Sequence, residues 1–269
     1  MKRDRWARVA AGWEKYADEL RRQTMPVSMW MIDAIAPQPG HTVLDLAAGI
    51  GDTGFLAAEL IEPGGTLITS DYLPEMLSAA QRRAEALGVG NVRFKQIDAS
   101  QPIDIEAASI DGVLCRWGYM LMDDAETALQ ETRRVLRPGG RVALAAWTGP
   151  DDNPWSSLPV RLLLERRLID PPAPGPGQFT WAEEGVVAEH LEAAGFVEYE
   201  IDRLEFPIRH PSVEAWWATA RTMGVTVSEA RIDDEAEVLS ALAEAAAPWT
   251  APDGSLAIPA RTWVAAATG

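Results

Sequence analysis

Three glycines after an apolar run form the first candidate binding site in the sequence. Gly49, Gly51 and Gly54 match the pattern Gly-x-Gly-x-x-Gly and lie between a predicted strand and a predicted helix. Because Gly49 and Gly51 carry no side chain, a polar group of a ligand can approach their backbone closely. The N-terminus of the following helix offers free N–H groups to the same ligand. The segment predicts a binding loop, but the pattern alone does not identify the ligand.

Asp45 lies just before this loop, and its charge bears on the choice of ligand. A dinucleotide would bring a doubly charged pyrophosphate beside the carboxylate, which is electrostatically unfavourable. A ligand with an ammonium group, such as the methionine part of S-adenosylmethionine, would be attracted to Asp45 directly or through water. In a third interpretation the residue only caps a local turn. We expect the ammonium ligand.

Two more carboxylates follow the next two predicted strands. Asp71 comes 26 residues after Asp45, near the distance at which an acidic residue meets a ribose after a glycine loop. Asp98 can accept a hydrogen bond from an adenine amino group, although a surface turn would look the same. The predicted adenosine contacts are Asp71, Tyr72, Met76, Asp98 and Ala99.

Short β-rich runs alternate with longer helical runs through the first half of the chain, as in a sheet wound with helices. The predicted strands cover residues 42–46, 66–70, 92–96, 112–115 and 141–146. The predicted helices cover residues 53–60, 74–87 and 125–136. The turn Arg137-Pro138-Gly139-Gly140 is expected to end the last of these helices before the next strand begins.

The second half of the chain begins with a stretch rich in proline and glycine. Residues 148–177 are predicted to form an irregular connecting or capping loop. Thr180 is predicted to cap the N-terminus of a helix over residues 181–194, which ends at Gly195.

The remaining segments complete a single predicted domain over residues 1–269. Strands are expected over residues 197–206 and 255–267, with a helical insertion over residues 213–247 between them. The predicted parts of the domain are an N-terminal helical lid (1–36), a cofactor-binding core (37–150) and the rest of the sheet with a capping loop and the insertion (151–269).

Five ordered segments resemble one enzyme family. They are VLDLAAGIGDTG, TSDYLPEML, KQIDASQPI, IDGVLCRWGYM and RVLRPGGRVALAAW. Together they resemble the class I S-adenosylmethionine-dependent methyltransferases, particularly the branch of the ubiquinone and menaquinone biosynthesis C-methyltransferases. The resemblance covers residues 36–147. It implies an α/β, doubly wound, Rossmann-like sheet of seven strands, mostly parallel, with an antiparallel last strand.

The resemblance also implies how S-adenosylmethionine is held. The amino acid end of the cofactor would lie near Asp45 and Gly49, and its adenosine near Asp71 and Asp98. The strand end at Cys115 and Arg116 would pass beside the sulfonium, where backbone carbonyls hold the ammonium group.

One position departs from the family pattern. The family usually has a glycine where this chain has Ala47, so the loop is slightly more crowded there. We expect the alanine to be tolerated and include Ala47 among the cofactor-binding residues.

Aromatic residues predict the acceptor site, since ligands of open α/β sheets bind beyond the carboxyl ends of the strands. The candidates are Trp117, Tyr119, Trp147 and Trp155. Together they would form a flat, apolar pocket for an aromatic, polyketide, quinone or isoprenoid-like molecule, although core packing explains each residue equally well.

His210 is the histidine best placed to act as a general base, because it follows a predicted strand end and titrates near neutral pH. A lone loop histidine is otherwise often structural. Tyr16 is the second candidate catalytic residue. With Trp13 and Trp30 it belongs to helices that either close over the cofactor as a lid or simply dock on the domain.

The composition limits the partners. A net charge of −16 over 269 residues disfavours nucleic acid and anionic membranes. The single cysteine, Cys115, rules out an intrachain disulfide and a cysteine-based zinc cluster, and no ligand cluster predicts a metal. We expect a cytoplasmic enzyme without membrane insertion that acts on a small-molecule acceptor; a homo-oligomer is compatible with the sequence.

The leading prediction is methyl transfer from S-adenosylmethionine to carbon or oxygen of a small, largely apolar metabolite. Two alternatives stay open at this point. An NAD(P)-dependent oxidoreductase would use the glycine loop and Asp71 but leaves Asp45 without a role. A non-catalytic S-adenosylmethionine-binding protein would need no acceptor base.

Overall fold

Seven strands form one sheet in the computed structural model, which describes residues 2–172, 174–183 and 185–269. The strands are β1 (Thr42–Asp45), β2 (Thr66–Asp71), β3 (Val92–Gln96), β4 (Ile110–Arg116), β5 (Leu136–Trp147), β6 (Tyr199–His210) and β7 (Leu256–Thr268). Their order is β3-β2-β1-β4-β5-β7-β6. Strands β1 to β5 pair in parallel, and β7 pairs antiparallel with β5. The predicted Rossmann-like sheet with its antiparallel last strand is confirmed.

The chain divides into two compact units. The first unit comprises Met1–Gln23, Gly149–Gly175 and Glu205–Arg261, and the second unit comprises Thr24–Thr148, Pro176–Leu204 and Thr262–Gly269. The expectation that all 269 residues act as one domain stays a prediction. Within the described part of the chain, no helix combines the length and the apolar character that a membrane span requires.

The second unit is built on strands that are buried along most of their length. Val43, Leu44, Val113 and Leu114 are fully buried, as expected for parallel strands covered by helices on both faces. The helices are α3 (Asp52–Leu60), α4 (Pro74–Leu87), α5 (Ala125–Val135) and α7 (Val186–Ala193). Because β1 pairs in parallel with both β2 and β4, the carboxyl ends of these three strands lie at one edge of the sheet. This edge carries the predicted cofactor residues.

Strand β5 begins directly after α5, at Leu136. The turn residues 137–140 therefore end the helix as predicted, but they belong to the strand. Pairing with β4 shifts register between Ile110 and Gly112, and Gly139 adopts a φ of +81° within the irregular stretch. The segment is thus an irregular start of a strand rather than a separate turn.

The predicted helix over residues 181–194 begins later than expected, at Val186. The hydroxyl oxygen of Thr180 accepts a hydrogen bond from the backbone N–H of Gly177 at 2.7 Å. Because this contact closes a turn on its N-terminal side, Thr180 does not cap the helix. Gly195 adopts a φ of +87° just past the helix end, as predicted.

The α-helical segments of the first unit are α1 (Lys2–Lys15), the start of α2 (Ala17–Ile35), α6 (Pro154–Glu165), α8 (Val213–Met223) and α9 (Glu235–Ala246). Helices α8 and α9 confirm the predicted helical insertion. The unit has a core of its own, whose buried side chains include Leu158 and Leu163 of α6, Trp216 and Trp217 of α8, and Leu242 of α9.

Helix α6 was expected to be part of an irregular loop, and that expectation is wrong. Pro154 occupies the first turn, where a missing N–H is harmless, and leucines at 158 and 162 share the buried face. Pro159 lies inside the helix and cannot donate to the carbonyl of Trp155. The indole N–H of Trp216 donates to that carbonyl instead, at 2.9 Å. This contact with α8 compensates for the proline.

Candidate functional site

The glycine loop joins β1 to α3, and its glycines have different structural roles. Gly51 is the residue before α3, with a φ of +87°, and a Cβ there would lie 2.4 Å from the ring of Phe55. Gly49 has a φ of +56°, but apart from its two chain neighbours no residue of the described chain has an atom within 4 Å of a Cβ built on it. Packing therefore requires glycine at position 51, whereas open space borders the backbone at position 49.

Asp45 ends β1 and is buried beneath the loop. Its Oδ2 accepts a hydrogen bond from the backbone N–H of Gly54 at 2.9 Å, and a Cβ at Gly54 would lie 2.5 Å from the same oxygen. Burial raises the pKa of Asp45 to about 7, with opposing contributions from this hydrogen bond and from Arg116. The last glycine of the pattern thus makes room for Asp45. A contact between Asp45 and a ligand ammonium group stays a prediction.

Asp71 ends β2 and binds the loop from the other side. Its Oδ2 accepts from the backbone N–H of Gly49 at 3.0 Å, and its Oδ1 accepts from that of Leu73 at 2.9 Å. Burial raises the pKa of Asp71 to about 6. The predicted ribose-binding carboxylate therefore has an orientation fixed by two backbone donors.

Ala47 adopts a φ of +53°, in the left-handed region that favours glycine. Its Cβ would lie 2.7 Å from a Cβ built on Gly118. Backbone strain is therefore the physical reason for glycine at position 47 in this structure, while glycine at position 118 leaves room for the methyl group of Ala47.

The other predicted adenosine contacts lie directly after β2, on α4 and after β3. Tyr72 is half-buried, and its carbonyl accepts from the side chain of Gln96 at 2.9 Å. Met76 is buried on α4. Asp98 is exposed, with Oδ1 accepting from the backbone N–H of Ser100 at 3.1 Å, while Ala99 is buried. All belong to the second unit, as do Asp45 and Asp71.

Cys115 and Arg116 end β4. The thiol of Cys115 is fully buried, and burial raises its pKa. The guanidinium of Arg116 donates to the hydroxyls of Thr24 at 2.6 Å and Ser28 at 2.9 Å, both on α2. Sequence reasoning considered only the backbone of Arg116. Its side-chain partners lie about 90 residues away along the chain, and no local pattern indicates them.

Trp117 and Trp147 form a stacked pair at the carboxyl ends of β4 and β5. Their ring centres are 4.2 Å apart, with an angle of 11° between the planes. Trp117 has a φ of +61°, which is unusual for an aromatic residue, and its indole N–H donates to the hydroxyl of Thr262 at 3.0 Å. Two of the four predicted acceptor residues are therefore adjacent.

The other two acceptor candidates have different surroundings. Tyr119 is buried, its hydroxyl lies 2.6 Å from that of Thr132, and its ring stacks on Trp181 at 6.2 Å. These are the contacts of a core residue. Trp155 belongs to the first unit, where its indole N–H donates to Asn153 at 3.2 Å.

His210 and Tyr16 both belong to the first unit. The side chain of His210 is only 3% exposed, and its Nδ1 lies 3.6 Å from a carboxylate oxygen of Glu19. Among the described residues, this nitrogen has no hydrogen-bond partner. Burial lowers the pKa of His210 to about 4, so the ring is neutral at neutral pH. Tyr16 is half-buried, with the ammonium of Lys15 5.1 Å from its ring centre.

The remaining lid and histidine candidates have structural contacts. Trp13 donates from its indole to the carbonyl of Met223 at 3.2 Å, and Trp30 is half-buried on α2. His190 stacks on Trp181 with ring centres 4.4 Å apart. Across the described ranges, no group of three histidine, cysteine or acidic side chains is arranged to hold a metal ion.

Comparisons with known sequences match the cofactor half of the chain most strongly. The model of the ubiE/COQ5 methyltransferase family matches residues 26–153. Nocamycin O-methyltransferase from Saccharothrix syringae is 32% identical over 203 residues, which is 71% of each chain. The ubiquinone/menaquinone biosynthesis C-methyltransferase UbiE of Pasteurella multocida is 34% identical over 128 residues, and this alignment covers 47% of each chain.

Solved structures share the fold over nearly the whole chain. The YcgJ protein from Bacillus subtilis has a TM-score of 0.60 at 22% identity, over 91% of this chain and 98% of that one. A geranyl diphosphate methyltransferase in complex with SAM has a TM-score of 0.55 at 17% identity, over 96% and 91%. At such identities the likeness concerns the fold alone. The sequence relatives identify the family: the chain belongs to the class I S-adenosylmethionine-dependent methyltransferases, and its residues 26–153 are similar to the ubiE/COQ5 methyltransferases.

Proposed function

We propose that the protein transfers the methyl group of S-adenosylmethionine to a carbon or oxygen atom of a small, largely apolar metabolite of the aromatic, polyketide, quinone or isoprenoid class. The observation that carries this proposal is the stacked pair of Trp117 and Trp147, which lies at the carboxyl ends of β4 and β5 in the same unit as the cofactor residues. Aromatic side chains supply most of the contact area in sites for apolar ligands.

The residues of the second unit fit the cofactor. Open space at Gly49 lets a ligand approach the backbone, and the carboxylate of Asp71 is held ready to accept from two ribose hydroxyls. Asp98 is exposed beyond β3, where it can accept from an adenine amino group. The cofactor-binding set that we propose is Asp45, Ala47, Gly49, Gly51, Asp71, Tyr72, Met76, Asp98, Ala99 and the backbone of Cys115 and Arg116.

The protein's contribution to the reaction is mainly one of position. The bound cofactor supplies an electrophilic methyl group on its sulfonium, so the chain has to orient an acceptor atom and exclude water. The rigid indole pair suits this task because two stacked rings lose little conformational freedom when a ligand binds. For acceptors that lose a proton, His210 and Tyr16 stay the predicted catalytic residues.

The names of the relatives are consistent with such acceptors. They include an O-methyltransferase named for nocamycin, a demethylmenaquinone methyltransferase from Thermus thermophilus, and a geranyl diphosphate C-methyltransferase from Streptomyces coelicolor with the same fold. These proteins differ in the atom that is methylated, so they support the acceptor class more than the choice between carbon and oxygen.

The test is methyl transfer from labelled S-adenosylmethionine to a panel of phenols, hydroquinones, β-dicarbonyl compounds and isoprenyl diphosphates, with tRNA and a protein mixture as further arms. We expect a labelled product from at least one apolar small molecule, and a loss of that product in Trp147→Ala. Label that enters only tRNA or protein would overturn the proposal. If calorimetry showed cofactor binding while no arm took up label, the chain would be a cofactor-binding protein without this activity.

A further inference from the structure

Arg116 is a largely buried cation, with a side chain 13% exposed, that contacts two helices of the second unit and the ring of Trp117. Its Nη1 donates to the hydroxyls of Thr24 at 2.6 Å and Ser28 at 2.9 Å on α2. Its Nη2 lies 3.8 Å from Oδ2 of Asp52, the first residue of α3. Its Cζ lies 4.9 Å from the ring centre of Trp117.

Further polar contacts join the same elements. The hydroxyls of Ser28 and Thr53 are 3.1 Å apart, so α2 and the first turn of α3 contact each other next to the guanidinium. The other carboxylate oxygen of Asp52 accepts a hydrogen bond from Nε of Arg83 on α4 at 3.1 Å, and Nη2 of Arg83 lies 2.9 Å from the same oxygen as an ion pair. Because Asp52 is almost fully buried, the two arginines together neutralise a carboxylate that water does not solvate.

These contacts join the two halves of the proposed site. The first turn of α3 follows the glycine loop directly, and Trp117 is one ring of the stacked acceptor pair. Arginine suits such a junction better than lysine, since its planar guanidinium can donate to two hydroxyls and lie near an aromatic ring at once. The positive charge of Arg116 also acts on Asp45, at the end of β1, where it opposes the rise in pKa caused by burial.

We propose that Arg116 is a positioning residue for methyl transfer: its guanidinium fixes the α2 segment from Thr24, the N-terminal turn of α3 and the ring of Trp117 relative to one another. The inference rests on the proposed function. It adds a side-chain role for a residue that the family pattern uses only through its backbone, and it accounts for a largely buried charge at the end of an apolar strand.

The first test needs neither cofactor nor acceptor. In Arg116→Lys, which keeps the charge, we expect amide hydrogen exchange to become at least tenfold faster in residues 24–35 and 52–55. Exchange in β5 should be unchanged. Thr24→Val combined with Ser28→Ala should reproduce the effect in α2, and Arg203→Met, at an exposed arginine, serves as the matched control. Unchanged exchange in α2 and α3 of Arg116→Lys would overturn the proposal, and so would a uniform increase that includes β5.

The second test uses whichever acceptor is methylated. At saturating concentrations of both substrates, kcat of Arg116→Lys should fall at least tenfold while the apparent KM for the acceptor changes less than threefold, because alignment rather than contact is lost. An unchanged kcat would contradict the positioning role. If exchange changes as expected but no acceptor is methylated, the proposed function fails while the junction at Arg116 stands.

Discussion

The backbone N–H of Gly49 donates a hydrogen bond to Oδ2 of Asp71 at 3.0 Å, which connects the glycine loop to the carboxyl end of β2. The other carboxylate oxygen accepts from the N–H of Leu73 at 2.9 Å. Each oxygen keeps a further lone pair for a ligand donor. A single carboxylate thus shapes the loop and presents the acceptor for a ribose hydroxyl.

Replacing Asp71 with asparagine should weaken cofactor binding strongly. The amide can accept from one backbone N–H but must turn its NH2 group toward the other, and it removes a charged acceptor from the ribose. We expect the Kd for S-adenosylmethionine in isothermal titration calorimetry to rise at least tenfold, since hydrogen bonds to charged groups contribute about 1.5–3 kcal/mol. Asp202→Asn, at an exposed carboxylate of the same unit, should bind normally. If Asp71→Asn and Asp202→Asn bound S-adenosylmethionine with equal affinity, the assignment of Asp71 to the ribose would be wrong.

Asp45 should make stability depend on pH. Burial raises its pKa from 3.8 to about 7, so between these values the folded protein holds a proton that the unfolded chain releases. The free energy of unfolding should therefore fall as the pH rises through this window. Asp45→Asn keeps an acceptor for Gly54 and removes the ionisation, so its dependence should be shallower. Urea unfolding at about pH 5 and about pH 7.5 measures the free energy of unfolding of the unchanged protein and of Asp45→Asn. An equal change in this free energy between the two pH values in both proteins would contradict the expectation.

Ala47→Gly should change stability only slightly, and in the favourable direction. The left-handed conformation of an alanine costs about 1–2 kcal/mol, while glycine loses about 0.4–1 kcal/mol through the greater freedom of the unfolded chain. The net expectation is a gain of between 0 and about 1.6 kcal/mol in the free energy of unfolding. Ala47→Val, which adds β-branching at the same φ and crowds the strand end, should destabilise. A loss of stability in the glycine variant would show that the φ of +53° is not strained.

Trp216→Phe should destabilise the first unit by about 0.5–1.5 kcal/mol, because the half-buried carbonyl of Trp155 loses the hydrogen bond from the indole. Pro159→Ala in the same background supplies an N–H to that carbonyl and should recover part of the loss. A double-mutant cycle measured by thermal unfolding reports the coupling between the two positions. Purely additive effects would mean that the indole acts through packing alone.

Local patterns predicted the nucleotide-binding half well. The helix Pro74–Leu87 and the strand Val92–Gln96 have the predicted bounds, because a proline at the first turn and a left-handed glycine after the last turn are local signals. The acidic residues at the ends of β1 and β2 were likewise identified from the alternation of strands and helices.

The errors arose where a distant residue supplies a missing partner. Helix α6 contains a proline that argues against a helix, and Trp216, 57 residues further along, donates to the carbonyl to which Pro159 cannot donate. The role of the Arg116 side chain depends in the same way on hydroxyls of α2. Such contacts are decided by tertiary packing, and single-sequence reasoning has no access to them.

Substitutions at Gly49 and Gly51 should affect ligand binding and folding differently. An alanine at position 51 would collide with Phe55, so a screen for soluble expression alone would discard it. An alanine at position 49 meets open space at a φ of +56°, nearly the conformation that Ala47 already adopts at +53°. Gly49→Ala would therefore survive such a screen while placing a methyl group where the ligand approaches. This variant would be a folded form of the enzyme that does not bind the cofactor, and it could serve as a control in cells.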